Sequence, residues 1–120
     1  MKTLDYIVKL TTTPSPTGYT TEIMDYIQSE LESFGYQASK TPKGGVLVTV
    51  PGTNGDQHRM VTAHLDTLGA MVRAIKADGR LKMDLVGGFG YPSIEGENCL
   101  IHVAKNGRTY TGTILMHQTS

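Results

Sequence analysis

The residues best suited to chemistry are His64 and Asp66, which close the apolar run Met60-Val61-Thr62-Ala63-His64-Leu65-Asp66-Thr67-Leu68-Gly69. A neutral imidazole binds zinc or cobalt, and a carboxylate close by can accept its other N–H and so fix the tautomer. Taken alone the tripeptide is a weak signal. A histidine satisfied in a core or loop, and an aspartate that serves a turn or a cap, are the ordinary readings. The surroundings must decide between them.

Other reactive side chains lack such company. His58 precedes His64 by six positions, and six strand steps span roughly 20 Å, too far to share one ion; it reads as a solvated loop residue. His102 and His117 have no acidic or cysteine neighbour at ligand spacing. Cys99 alternates with Ile101 and Val103, which marks a small core residue rather than a reactive thiol. Gly87-Gly88-Phe89-Gly90 is followed by Tyr91-Pro92 instead of a helix start, so it reads as a flexible loop and not a phosphate cradle. Glu95 and Glu97 flank Gly96 and belong to a solvated turn.

Elements that could position His64 and Asp66 are legible on either side. Leu4, Ile7 and Val8 mark a short helix over residues 3 to 11, broken by Thr12-Thr13-Pro14-Ser15-Pro16-Thr17-Gly18, where two prolines remove donors and disfavour helix before them. A longer helix follows, with Thr20 or Thr21 as cap, Glu22 in the first turn, and Ile23, Ile27, Leu31 and Phe34 on one stripe. Gly35 is its C-terminal stop. Tyr36 to Lys40 and Val46 to Val50 are strand candidates, the second apolar enough to be buried on both faces. Arg59 to His64 returns as a third strand, and catalytic groups in open α/β sheets project from such strand ends.

After Leu68 the pattern changes. Gly69 to Ile75 and Arg80 to Leu85 flank Asp78-Gly79, and Asn98 to Val103 and Thr109 to Ile114 flank Asn106-Gly107; both dipeptides are strong hairpin turns. The expectation is an α/β segment followed by the first strands of a β-barrel or sandwich. Two helices cannot cover both faces of a sheet, and about four strands are few for a closed barrel. The chain therefore reads as the N-terminal portion of something larger.

Bulk properties narrow the class. At 120 residues, 38% hydrophobic and 18% charged, the sequence is that of a globular protein. Eleven Lys and Arg balance eleven Asp and Glu, which gives no attraction to nucleic acid or an anionic membrane. One cysteine excludes an internal disulfide and fits a reducing cytosol. The first residues carry an early acid and make a poor signal peptide, and no apolar run approaches a membrane span. A soluble, cytoplasmic protein is expected.

Several stretches together resemble one known family. They are Thr13-Pro14-Ser15-Pro16-Thr17-Gly18-Tyr19, Ala63-His64-Leu65-Asp66-Thr67-Leu68-Gly69-Ala70-Met71-Val72, Val86-Gly87-Gly88 and Ile94-Glu95-Gly96. This ordered set is similar to the cytosolic dinuclear metallo-aminopeptidases that include the tetrahedral, deblocking and glutamyl aminopeptidases and the cellulase-M-like proteins. The resemblance implies that residues 1–69 are the N-terminal part of an α/β catalytic domain and residues 70–120 the first strands of an inserted β-barrel. It implies removal of N-terminal residues from peptides with two divalent metal ions, zinc or cobalt. By position, His64 corresponds to a ligand of one metal and Asp66 to the catalytic-site carboxylate that orients it.

The remaining ligands and the general-base glutamate fall, in the family, beyond the inserted domain. The 120 residues alone are therefore expected to be inactive. Homo-oligomers are common in the family. Thr67 departs from the pattern, where a glutamate is usual. Two alternatives stay open: a catalytically empty binding or assembly module on the same fold, and a related glycan hydrolase, although no carboxylate pair of the kind glycoside hydrolysis needs is identifiable.

Overall fold

The computed structural model describes residues 2–116; His117 lies outside the described residues. The elements run α1 (Thr3–Thr12), α2 (Thr21–Ser33), β1 (Ala38–Lys40), β2 (Val46–Val48), β3 (Gly69–Ile75), β4 (Leu81–Val86), a single 3₁₀ turn (Tyr91–Ser93), β5 (Asn98–Val103) and β6 (Arg108–Thr113). Helices and small antiparallel sheets make this an α/β chain. It divides into two compact units between Gly87 and Gly88. No helix among the described residues is long and apolar enough to cross a membrane.

In the first unit α1 ends where Pro14 has no N–H to donate, and the threonines before it fold their hydroxyls back along the helix. Thr11 and Thr12 donate their hydroxyls back to Ile7 and Val8 carbonyls at 2.8 and 2.7 Å, and Thr13 donates to Lys9 at 2.8 Å. These hydroxyls back-bond to carbonyls one turn earlier, and the Lys9 carbonyl also accepts from Thr13 N–H at 3.1 Å. Across to α2, the Tyr6 hydroxyl donates to Glu30 Oε2 at 2.7 Å, and Lys9 lies over the Tyr26 ring. The carboxylate beside it pushes the Tyr6 phenol up to about 12.

Thr20 occupies the N-cap of α2, but its hydroxyl makes no capping bond; its carbonyl accepts from Met24 N–H instead. At the other end Gly35 adopts φ +86, Gly35 N–H donates to Glu32 and Tyr36 N–H to Leu31. This paired closure needs a left-handed residue, which is why glycine stops the helix there. Ile23 is fully buried and anchors the helix. Phe34 departs from the expected stripe: it is the C-cap and is 61% exposed, turned off the face that Ile23 buries.

α2 packs on the β1–β2 hairpin, whose register is Ala38↔Val48, Ser39↔Leu47 and Lys40↔Val46. Lys40 pairs with Asp25 of the helix. β2 is shorter than expected, and only one face is covered: Val46 and Val48 are half-buried while Leu47 is exposed. The third strand expected over Arg59 to His64 does not form. A strand exists only as one side of a ladder, and among the described residues nothing pairs with that run. Val61 is left 95% exposed.

Both hairpins form at the two turns read from sequence. β3 pairs with β4 from Gly69↔Val86 to Ile75↔Leu81, with a bulge at Arg73, and Gly79 takes φ +83 in the turn. In the second unit β5 pairs with β6 from Asn98↔Thr113 to Val103↔Arg108. Cys99, Ile101 and Val103 share its better covered face. Glu95 and Glu97 are exposed beside Gly96, and His102 meets the Thr109 hydroxyl at 3.1 Å. Each hairpin stands as its own two-stranded sheet.

Candidate metal centre

The site is built from two segments far apart in sequence. Pro14 and Pro16 restrict the backbone around them to extended conformations. Between them Ser15 is fully buried, and it grips the segment after His64 twice. Its hydroxyl donates to the Leu65 carbonyl at 2.7 Å, and its own carbonyl accepts from Thr67 N–H at 2.9 Å. A parallel bridge joins Pro16 to Thr67. Gly69 permits the close approach, because a Cβ there would lie 2.5 Å from the Pro16 Cβ.

Beyond the clamp the chain turns. Tyr19 N–H donates to the Pro16 carbonyl at 2.7 Å, and Gly18 takes φ +92 at the third position of the turn. A positive φ at that position is the signature of a type II turn. Thr17, second in the turn, donates its hydroxyl to Asp66 Oδ2 at 2.7 Å. The other oxygen, Asp66 Oδ1, lies 3.0 Å from His64 Nδ1.

These contacts set the protonation of the pair. His64 Nδ1 faces Asp66 Oδ1 and, at 3.2 Å, the Asp66 main-chain carbonyl. Both are acceptors, so in the neutral ring the proton sits on Nδ1 and Nε2 keeps its lone pair. The imidazole is 84% exposed, so that lone pair is accessible. The Thr17 hydroxyl, followed by His64, holds the Asp66 carboxyl below its ordinary value against the opposing effect of partial burial. An ionised carboxylate on one imidazole nitrogen, with the other nitrogen open, is the arrangement metal-binding histidines use.

His64 and Asp66 are thus brought together as a unit. The donor chemistry fits one arm of a divalent-metal site and no more: among the described residues no group of three or more His, Cys, Asp or Glu could hold an ion. His58 is exposed in the loop after β2. Ser15 and Thr17 escaped the sequence reading. The one signal available was alternation: in an extended proline-fixed stretch, Thr13, Ser15 and Thr17 fall on one side. Thr67, where the resemblance expects glutamate, contributes its backbone N–H to the clamp and leaves its side chain exposed.

The chain is similar to known aminopeptidases. The chain is 57% identical over 119 residues to "Putative aminopeptidase YhfE" of Bacillus subtilis (strain 168), covering 99% of this chain and 34% of that protein. It is 32% identical over 98 residues to "Glutamyl aminopeptidase" of Lactococcus lactis subsp. cremoris (strain MG1363), covering 81% of this chain and 28% of that protein. The chain therefore spans about a third or less of the length of the curated relatives it matches. The sequence pattern of the M42 glutamyl aminopeptidases matches residues 44–120, which include His64 and Asp66. With well over half of its length covered by that pattern, the chain belongs to the M42 glutamyl aminopeptidase family.

Proposed function

We propose that this chain supplies one arm of the active site of a metal-dependent aminopeptidase that hydrolyses N-terminal residues from peptides. The observation that carries the reading is the His64–Asp66 contact, which leaves Nε2 of an exposed imidazole as a free ligand atom. His64 would hold one of two divalent ions, zinc or cobalt, and Asp66 would orient the ring. When bound, such ions supply Lewis acidity toward the scissile carbonyl and lower the pKa of a water. The contributions of this chain are to present the imidazole in one tautomer, to keep the neighbouring carboxylate ionised and to hold both on a clamped backbone.

One imidazole falls short of the three protein ligands a catalytic zinc site usually has, so the 120 residues alone are inactive in this reading. In the same reading residues 1–69 belong to the α/β catalytic domain, and residues 70–120 are the first strands of an inserted β-barrel. Partial cover supports this: Val61 at 95% and Met60 at 81% exposure, and Met71 and Ile75 on β3, are large apolar side chains that further chain or a second copy would bury. A homo-oligomer in the cytoplasm is the expected setting.

The test is His64→Ala in the whole protein, with metal content and peptide hydrolysis measured together. Loss of most bound metal and of most activity is expected. Full metal content and an unchanged rate would refute the assignment.

A further inference from the structure

We propose that Thr17 is a positioning residue for the metal site, acting through Asp66 on His64; this rests on the proposed function above. An aspartate carboxylate turns about a terminal torsion with a broad, two-fold profile. A single hydrogen bond to His64 leaves that rotation loosely held. Here the two oxygens have different partners: Oδ1 meets His64 Nδ1 at 3.0 Å, and Oδ2 accepts from Thr17 Oγ1 at 2.7 Å. Bonds on opposite oxygens pin the plane of the carboxylate, and the plane of the carboxylate sets the direction of the imidazole.

Thr17 can do this because its own position is fixed from both sides. Upstream, fully buried Ser15 ties the strap to Leu65 and Thr67. Downstream, the turn closed by Tyr19 N–H and the Pro16 carbonyl, with Gly18 at φ +92, sets the direction of the Thr17 side chain. A β-branched residue adds a restricted χ1. The positioning runs from the Thr17 backbone through its own side chain to the hydroxyl, and from there by two hydrogen bonds to the carboxylate and the imidazole. Thr17 itself is exposed, so its substitution tests orientation with little effect on packing.

The experiment compares Thr17→Val, Thr17→Ala, Thr17→Ser and His64→Ala in the whole protein. Each is read by zinc affinity in competition with a chelator, by kcat and KM on a peptide, and by thermal melting. Thr17→Val and Thr17→Ala are expected to bind zinc about 10- to 100-fold more weakly, the loss usual when the partner of a metal ligand is disturbed. The decrease in turnover falls in kcat with KM unchanged, melting is unaltered, and Thr17→Ser restores affinity because it keeps the hydroxyl. If His64→Ala loses zinc while Thr17→Val and Thr17→Ala bind it normally, the Thr17 inference is overturned and the proposed function stands. If Thr17→Ser fails to restore affinity, the hydroxyl is not the agent and the inference is equally overturned. If His64→Ala retains zinc and activity, the proposed function falls and the Thr17 role falls with it.

Discussion

Replacing Ser15 by alanine isolates the clamp that joins the proline strap to the segment carrying His64 and Asp66. Ser15 is fully buried, and its hydroxyl makes one long-range bond, 2.7 Å to the Leu65 carbonyl. An intramolecular hydrogen bond is worth about 0.5–1.5 kcal/mol net, while a buried acceptor left without a partner costs about 1–3 kcal/mol. Leu65 is only half-buried, so water can reach its carbonyl once the hydroxyl is gone. That places the cost at the lower end, about 1 kcal/mol, or roughly fivefold in a local opening equilibrium.

Hydrogen exchange reads this directly, because the Thr67 N–H is held by the Ser15 carbonyl at 2.9 Å. When opening is local, the exchange rate follows the opening equilibrium. In Ser15→Ala the peptide spanning residues 63–69 is expected to exchange about fivefold faster, while α2 is unchanged. Ser15→Thr provides the contrast: an added methyl in a fully buried site costs about 1–3 kcal/mol through overpacking, although the hydroxyl is kept. If Ser15→Ala exchanges at residues 63–69 indistinguishably from the unmodified protein, the clamp does not hold this segment, and the account of how Asp66 is placed is refuted.

Two further outcomes follow from the same geometry. Gly69→Ala puts a Cβ 2.5 Å from the Pro16 Cβ, and a rigid proline ring cannot swing aside; a loss on the order of 1–3 kcal/mol is expected in denaturant unfolding, and an unchanged midpoint would contradict the close approach. Asp78 in the β3–β4 turn is held below its ordinary value of 3.8, chiefly by the side-chain bond from Arg80, 2.7 Å from Nε. A carboxyl depressed in the folded state stabilises that state fully above its unfolded value, and the stabilisation is lost as pH falls through the depressed one. Arg80→Gln should move the Asp78 titration, followed by carboxyl NMR, back up toward 3.8, and a titration already at 3.8 in the unmodified protein would count against the ion pair.

What the sequence disclosed divides along a physical line between local and long-range determinants. The hairpins at Asp78-Gly79 and Asn106-Gly107 and the end of α2 at Gly35 were legible because each depends on a glycine at positive φ, a property of a few adjacent residues. The pairing of His64 with Asp66 was legible for the same reason, since two residues of separation suffice to bring the groups together. The strand expected over Arg59 to His64 failed because a ladder needs a neighbour, and composition cannot say whether one is at hand. The strand over Val46 to Val50 is shorter than its composition suggests for the same reason: β2 closes at Val48, with Val50 left 64% exposed. Ser15 and Thr17 lie 50 and 49 residues from the groups they bind, and hydroxyl-bearing residues in a proline-rich loop look like any polar turn. Their importance comes from the prolines, which prevent the strap from coiling and oblige its polar groups to find partners on another segment. The chemistry of the site was therefore written in residue types, while its precision resides in a tertiary contact that residue types do not encode.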